Sequence, residues 1–182
     1  VPMTRYLIAL FLAASLSACG FHLRNKITLP DDAPAVKVES AVNYSELVKL
    51  LERGLRASGA VVSEEDGVGV AKLKIRSERW GDLPIAIDAQ GRAQEYSLRY
   101  AVVFTCLRPD GSVLVPEQAI EMSRDYVSQP TDATGTTTER EILANELRRE
   151  MSASILRRID SVVRSEMKQG HPLNGAGADA GN

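Results

Sequence analysis

The chain has 182 residues, a size that suits one domain with a modest core, and a formal net charge of −2 that gives no reason to expect nucleic-acid binding. Its two cysteines and two histidines form no cluster that would hold zinc or copper, so we expect no metal. It carries no Gly-rich phosphate loop, CxxC redox pair or GxSxG elbow, so we expect no cofactor and no enzymatic activity of those kinds.

Residues 1–18 have the order of regions found in a secretory signal peptide. Arg5 gives a charged start, an apolar run extends from Tyr6 to Leu16, and two small residues precede Cys19. The run is shorter than the roughly 20 residues of a membrane-spanning helix, which disfavours a helix that stays in the membrane. The sequence Leu16-Ser17-Ala18-Cys19 resembles the bacterial lipobox, and this resemblance implies cleavage before Cys19 and lipid attachment to it.

The membrane contact we expect is therefore a lipid anchor. Several acyl chains hold a protein firmly at a membrane, whereas one holds it only marginally. Gly20 stands where an Asp would resemble an inner-membrane retention signal, so an outer-membrane location is favoured. We expect residues 19–35 to form the lipidated tether, 36–168 a single domain and 169–182, rich in Gly, Ala, Asn and Asp, a disordered tail.

The first half of the domain reads as strand, helix and strand. Residues Ala35–Ser40 alternate apolar and charged side chains, which predicts a short strand. Asn43 and Glu46 have the spacing of a capping box and predict the start of an amphipathic helix. Its apolar face comprises Leu47, Leu50, Leu51 and Leu55. Alternation from Ala71 to Trp80 predicts a second strand, and we expect 81–91, with its Gly, Pro and Asp residues, to be a loop.

The second half reads as a hairpin followed by a long helix. Ala93–Leu107 is the strongest strand, and a Pro- and Gly-containing turn leads to a partner strand over Val113–Val127. We expect a polar loop over 128–138. Thr138 and Glu141 form a second capping box, which predicts a helix that extends to about Lys168.

The element order β-α-β-β-β-α predicts the α+β class. Both helices need an apolar surface, so we expect a two-layer sandwich with the helices on one face of a roughly four-stranded, mostly antiparallel sheet. The other face would carry basic side chains, among them Lys72, Lys74, Arg76 and Arg99. One strand carries the basic set Lys72, Lys74, Arg76 and Arg79. This set forms either a solvated face or a patch for phosphates or anionic lipid, which Arg92 would join from the turn before the long strand.

Two single residues have both a structural and a functional interpretation. Cys106 lies on the aromatic face of the long strand, where a buried small hydrophobe is favoured over a reactive thiol. If Cys19 carries lipid, Cys106 has no partner for an internal disulfide. Trp80 ends a predicted strand, and packing is favoured over ligand stacking.

Several motifs together resemble the LPS-assembly lipoprotein LptE family. The start Cys19-Gly20-Phe21-His22-Leu23-Arg24 resembles the family's Cys-Gly, aromatic, x, Leu-Arg. The segment from Gly91 to Tyr96, which leads into the long strand, resembles its Gly-x-x-x-Glu-Tyr hairpin. The resemblance implies the same two-helix, four-strand fold. It implies an outer-membrane protein that faces the periplasm, sits inside the lumen of the LptD β-barrel as plug and assembly factor, and contacts lipopolysaccharide without making or breaking covalent bonds.

The resemblance also implies basic contacts to the phosphates of lipid A. Arg92 is the nearest candidate, because it lies in the turn of the hairpin. The loop Pro130 to Thr138 has no Lys or Arg, and Arg76 or Lys74 would compensate only if the tip of the sheet brings them close.

Two other functions remain open at this point. The first is an auxiliary lipoprotein of another envelope assembly or lipid-transport complex. The second is a periplasmic hydrolase that uses two carboxylates among Asp82, Asp88 and Glu95, which would have to lie about 5–10 Å apart across a cleft.

Overall fold

The structure is a computed structural model that describes residues 33–128 and 133–175. Its elements in chain order are β1 (Ala35–Ser40), α1 (Glu46–Ala57), β2 (Val70–Ile87), β3 (Ala93–Leu107), β4 (Val113–Val127) and α2 (Ala133–Lys168). The predicted signal peptide, Cys19 and nearly all of the predicted tether lie outside the described residues.

The strands form one four-stranded sheet in the order β1-β2-β3-β4. β1 pairs with β2 in parallel, and the β2–β3 and β3–β4 pairs are antiparallel. Both helices pack on one face of this sheet, and the buried core lies between the two layers. The predicted class, layer arrangement and element order are therefore confirmed.

The core contains one apolar stripe from each helix and the alternating side chains of the central strands. The largest fully buried residues include Leu47 and Leu51 of α1, Tyr100 and Phe104 of β3, and Met151 of α2. The helices cross closely at Gly54, where a Cβ atom would lie 2.3 Å from Cδ1 of Leu156. The absence of a side chain at this position lets α1 approach α2.

Helix α1 begins later than the sequence predicted. Its N-cap is Ser45, not Asn43, and the Ser45 side chain makes no capping hydrogen bond. The Ser45 hydroxyl instead donates to the Glu78 carboxylate at 2.6 Å. Before it, Tyr44 has a φ of 57°, so the chain turns through a left-handed residue before the helix starts.

Two other boundaries also differ from the prediction. β2 continues through most of the segment predicted to be a loop, because this segment pairs with β3 as far as Ile87 opposite Ala93. Pro84 pairs with Tyr96, and the register shifts on both sides of Ala86. α2 begins at Ala133, not at Thr138, so most of the predicted polar loop is helical and only residues 129–132 of it lie outside the described ranges.

The chain after α2 turns back against the domain. The N–H of His171 donates to the Glu166 carbonyl at 3.0 Å, and Leu173 lines a small apolar cavity of about 70 Å³ together with Ile159, Val163 and Cys106. In the first part of the predicted disordered tail, residues 169–172 are exposed and 173–175 are half-buried or buried, and 176–182 lie outside the described residues. Within the described ranges, no helix has the length and apolar character needed to cross a membrane.

Candidate functional site

Arg92 lies at the tip of the β2–β3 hairpin, as predicted, and an aspartate orders it. One Asp88 carboxylate oxygen accepts the backbone N–H groups of Gln90 and Arg92 at 2.9 and 2.8 Å. The other oxygen accepts Nε of Arg92 at 2.8 Å. These bonds lower the pKa of Asp88, and the bond from the Arg92 backbone N–H has the largest effect. The carboxylate is therefore charged at neutral pH. The Arg92 side chain is still 64% exposed, so it is both ordered and accessible.

Lys74 and Arg76 lie elsewhere, on the outer sheet face near the end of β1. Together with Glu39, Ser40 and Ala41 they line a polar surface cavity of about 330 Å³. Each is near a carboxylate: Nζ of Lys74 lies 3.7 Å from Glu39, and Nε of Arg76 lies 3.5 Å from Glu117. Arg76 lies 11 residues before the end of β2 at Ile87, which is roughly 35 Å at about 3.3 Å per residue. The fold therefore does not bring Lys74 and Arg76 to the hairpin tip.

The rest of the outer sheet face also carries mixed charge. Asp66 accepts from Lys37 at 2.8 Å and from Lys72 at 2.7 Å, and Lys72 also lies 3.3 Å from Glu39. Hydrogen bonds from Lys37 and Lys72 lower the pKa of Asp66 to about 2. Nη1 of Arg99 lies 3.5 Å from the Glu121 carboxylate, and both side chains are exposed. This face carries a solvent-exposed network of ion pairs and is not a uniformly basic patch.

A polar cluster that sequence reasoning missed joins the hairpin half of the sheet to α2. Arg140 donates to Asp82 from both Nε and Nη2, and the Tyr126 hydroxyl donates to the same carboxylate at 3.0 Å. The Tyr126 ring stacks on Tyr96 with 5.6 Å between centroids. The hydrogen bond from Arg140 is the main cause of the lowered pKa of Asp82. The one available signal was an isolated Asp in a segment that read as a loop.

Trp80 begins a second polar and aromatic cluster beside the N-terminus of α1. Its ring stacks on Tyr100 at 3.8 Å, and the Arg148 guanidinium lies 5.0 Å from its centroid. The Tyr100 hydroxyl donates to Glu78 at 2.7 Å, and burial is the main cause of the raised pKa of Tyr100. The interpretation of Trp80 as a packing residue is confirmed, since the stacked Tyr100 and the Arg148 guanidinium both lie against its ring.

Comparison with known proteins identifies the family. Residues 33–159 match the LptE family, described as lipopolysaccharide-assembly. The chain belongs to the LptE family. A relative from Photorhabdus laumondii, named LPS-assembly lipoprotein LptE, is 25% identical over 163 residues, which cover 89% of this chain and 88% of the relative. A relative of the same name from Yersinia pestis is 26% identical over 88% of this chain and 78% of its own length.

Solved structures of lipoproteins share the LptE-family fold seen here. The crystal structure of rare lipoprotein B from Shewanella oneidensis superposes with a TM-score of 0.62 at 26% identity, over 75% of this chain and 99% of that one. The solution structure of a lipoprotein B from Nitrosomonas europaea gives 0.68 at 21% identity, over 84% of this chain and 97% of that one. The second comparison supports the fold alone.

In this LptE-family chain, two of the three carboxylates considered for hydrolysis, Asp82 and Asp88, are bound to arginines. Both pKa values are lowered, whereas a general acid needs a raised pKa. Cys106 is buried, as predicted, and burial raises its pKa to about 12, which is the opposite of an activated thiol. Within the residues that the structure describes, no group of three His, Cys, Asp or Glu side chains is placed to hold a metal ion.

Proposed function

We propose that this LptE-family chain is an outer-membrane lipoprotein that plugs and helps to assemble an LptD-type β-barrel and binds lipopolysaccharide during its delivery to the outer leaflet. The observation that carries the proposal is the match of residues 33–159, from β1 into α2, to the lipopolysaccharide-assembly family. The fold shared with solved lipoproteins supports it. The proposal assigns binding and assembly to the chain, and no covalent chemistry.

The surface suits a place inside a barrel. The lumen of a large outer-membrane barrel is polar, so a plug needs a wettable surface of mixed charge. The outer sheet face meets this requirement through ion pairs such as Lys72–Asp66 and Arg99–Glu121, which leave little net charge. When such a face moves from water to contact with the polar wall of the lumen, it buries no unpaired charge.

The anchor is the second part of the proposal. In this arrangement residues 1–18 are the removed leader, Cys19 carries the lipid and the chain up to about residue 35 is the tether to the domain. The tether would raise the effective concentration of the domain at the membrane where the barrel assembles. Cys19→Ala should abolish incorporation of labelled palmitate in cells, and labelling that persists in this variant would contradict lipidation at Cys19.

Arg92 is the third part, as the contact to a lipid A phosphate. A guanidinium suits phosphate, and the bond from Nε of Arg92 to Asp88 orders the side chain while leaving most of it exposed. Arg92→Gln should weaken capture of lipopolysaccharide several-fold at low and at physiological salt. Arg99→Gln, another exposed and ion-paired arginine, serves as the matched control and should not. Equal capture by both variants would contradict the assignment.

Lys74 and Arg76 form a separate candidate site, since they lie far from Arg92 on the outer face. The Lys74 side chain is only 30% exposed, against 64% for Arg92, so an anion has less access to it. We therefore expect the Lys74→Gln, Arg76→Gln double variant to lose less capture than Arg92→Gln. A larger loss in the double variant would move the main contact to this cavity.

A tagged pull-down from mild-detergent outer membranes tests the function as a whole. A stoichiometric β-barrel protein of LptD size, identified by mass, is the expected partner. A clean isolation without any barrel would reject the plug. Recovery of another envelope complex would support an auxiliary role there instead.

A further inference from the structure

The second half of β2 has an open edge. β1 pairs with β2 only as far as Ser40 opposite Ile75, whereas β2 continues to Ile87. The N–H of Ala41 donates to the Ile75 carbonyl at 3.0 Å, and the chain then leaves the sheet toward α1. Among the described residues, no strand pairs with the 78–87 part of β2 on this side.

The backbone of this open edge can accept another strand. Proline lacks an N–H, so within a ladder it occupies positions whose nitrogen points away from the neighbouring strand. Pro84 lies opposite Tyr96 of β3, and its nitrogen therefore faces the open side. Because backbone direction alternates along a strand, the N–H and C=O groups of Glu78, Trp80 and Asp82 face the same way. They offer donors and acceptors at the spacing that an extended chain requires.

The side chains along this edge are unusually apolar for a free strand. Leu83, Ile85 and Ile87 are 44, 46 and 69% exposed. Of the charged residues in the segment, Glu78 accepts from Tyr100, Asp82 accepts from Arg140, and Arg79 is exposed. Soluble proteins normally protect free edges with exposed charges.

The opposite edge of the same sheet is protected in that way. β4 has more exposed charged side chains than the 78–87 segment: Glu117, Glu121, Arg124 and Asp125, against Arg79 and Asp82. The two edges therefore differ in chemistry, and the open part of β2 is the one that favours strand pairing.

An exposed aromatic residue stands where the open edge begins. Tyr44 lies between Ala41, which bonds Ile75, and Ser45, which bonds Glu78, so its loop runs beside β2 at this point. Its φ of 57° is unfavourable for a residue with a side chain, and the side chain is 97% exposed. Strained backbone positions cluster at active sites and ligand-binding sites.

We propose that the β2 edge from Glu78 to Ile87 binds an extended segment of the barrel partner as an added strand, in the row that β1 occupies over Val70–Ile75. The inference rests on the proposed function for the identity of the partner. The segment would place aliphatic side chains beside Leu83 and Ile85 and an acidic one near the exposed Arg79. Main-chain hydrogen bonds would supply affinity, and alternate side chains the specificity.

Hydrogen exchange on the full lipidated chain, free and in the purified barrel complex, tests the added strand. Amides of the Glu78–Ile87 segment should exchange at least tenfold more slowly in the complex. The Val113–Val127 segment is the matched control, because it is the other edge of the same sheet, and its exchange should change little. Unchanged exchange in the β2 segment, or equal slowing at both edges, would overturn the proposal.

Variants separate this inference from the function on which it rests. Leu83→Lys with Ile85→Lys places charges on the open edge and should reduce recovery of the barrel at least tenfold, with unchanged circular dichroism. Val113→Lys, an exposed apolar position of β4, should leave recovery unchanged. If the wild-type chain recovers no barrel, the proposed function fails and the inference with it. If wild type and the edge variant recover equal amounts, only the inference fails.

Discussion

Arg140 of α2 donates two parallel hydrogen bonds to Asp82 of β2, Nε to Oδ1 at 2.9 Å and Nη2 to Oδ2 at 2.8 Å. The Tyr126 hydroxyl donates to the same Oδ1, so the carboxylate joins β2, β4 and α2. These contacts hold the first part of the long helix against the hairpin half of the sheet. The role of Asp82 in the described structure is therefore to connect these three elements.

The first prediction concerns the stability that this pair provides. Arg140→Met should lower the free energy of unfolding by about 1 kcal/mol, near the upper end for exposed ion pairs, because the geometry is bidentate. Arg164→Met removes a pair with Asp160 within one helical turn and should cost only about 0.3–0.5 kcal/mol. Urea denaturation measures both. A smaller loss in Arg140→Met than in Arg164→Met would contradict the role assigned to the bidentate pair.

The second prediction is the pH dependence of the same pair. Arg140 lowers the pKa of Asp82 below the ordinary value of 3.8. A carboxyl with a depressed folded-state pKa contributes stability above its unfolded pKa and loses it as the pH falls through the folded one. The difference in stability between wild type and Arg140→Met should therefore be constant from about pH 7 to 5 and shrink below about pH 4. Thermal denaturation across this range would refute the linkage if the difference grew in acid.

The third prediction concerns the crossing of the two helices. Gly54→Ile should lower the free energy of unfolding by about 1–3 kcal/mol, because its Cβ would lie 2.3 Å from Cδ1 of Leu156 and the added branches would crowd it further. Combining it with Leu156→Ala should recover part of this loss by opening space. Chemical denaturation of the two single variants and the double variant gives the coupling. Strictly additive losses would show that the two side chains do not compete for space.

The fourth prediction concerns Cys106, whose side chain lies in the core and lines the small apolar cavity. Burial raises its pKa to about 12, so the thiolate is scarce at neutral pH. Thiol reagents should modify it only as fast as the domain opens. Cys106→Ser should cost more stability than Cys106→Ala, since a buried hydroxyl without a partner costs about 1–3 kcal/mol. Rapid labelling of the folded protein would contradict this placement.

Sequence patterns were most accurate where structure is local. The bounds of β1, β3 and β4 follow from strict alternation and from turn residues such as Gly111 and match the structure. The predicted starts of both helices were wrong, and the sequence pattern also did not reveal the contacts that these helices make across the fold. Ser45 bonds Glu78 across the fold, and Arg140 reaches Asp82 across a sequence separation of 58 residues.

The candidate site was predictable to the same extent. Arg92 was placed at the hairpin turn because Gly91 and its neighbours mark a turn, and the structure confirms that position. The distance between Arg92 and Arg76 depended on how far β2 continues. Its Gly, Pro and Asp residues read as a loop, but pairing with β3 overrides that local preference.

The parallel placement of β1 has a mechanical consequence. β1 is the first element of the described chain, and its start at Ala35 lies opposite Val70, the start of β2. A force that pulled β1 along its own axis would load the bonds of the β1–β2 ladder together, instead of opening them one after another. Because the N–H of Val36 also donates to the Val61 carbonyl at 2.8 Å, β1 is held from both sides. The start of the described chain is thus bonded to the domain on both sides of β1.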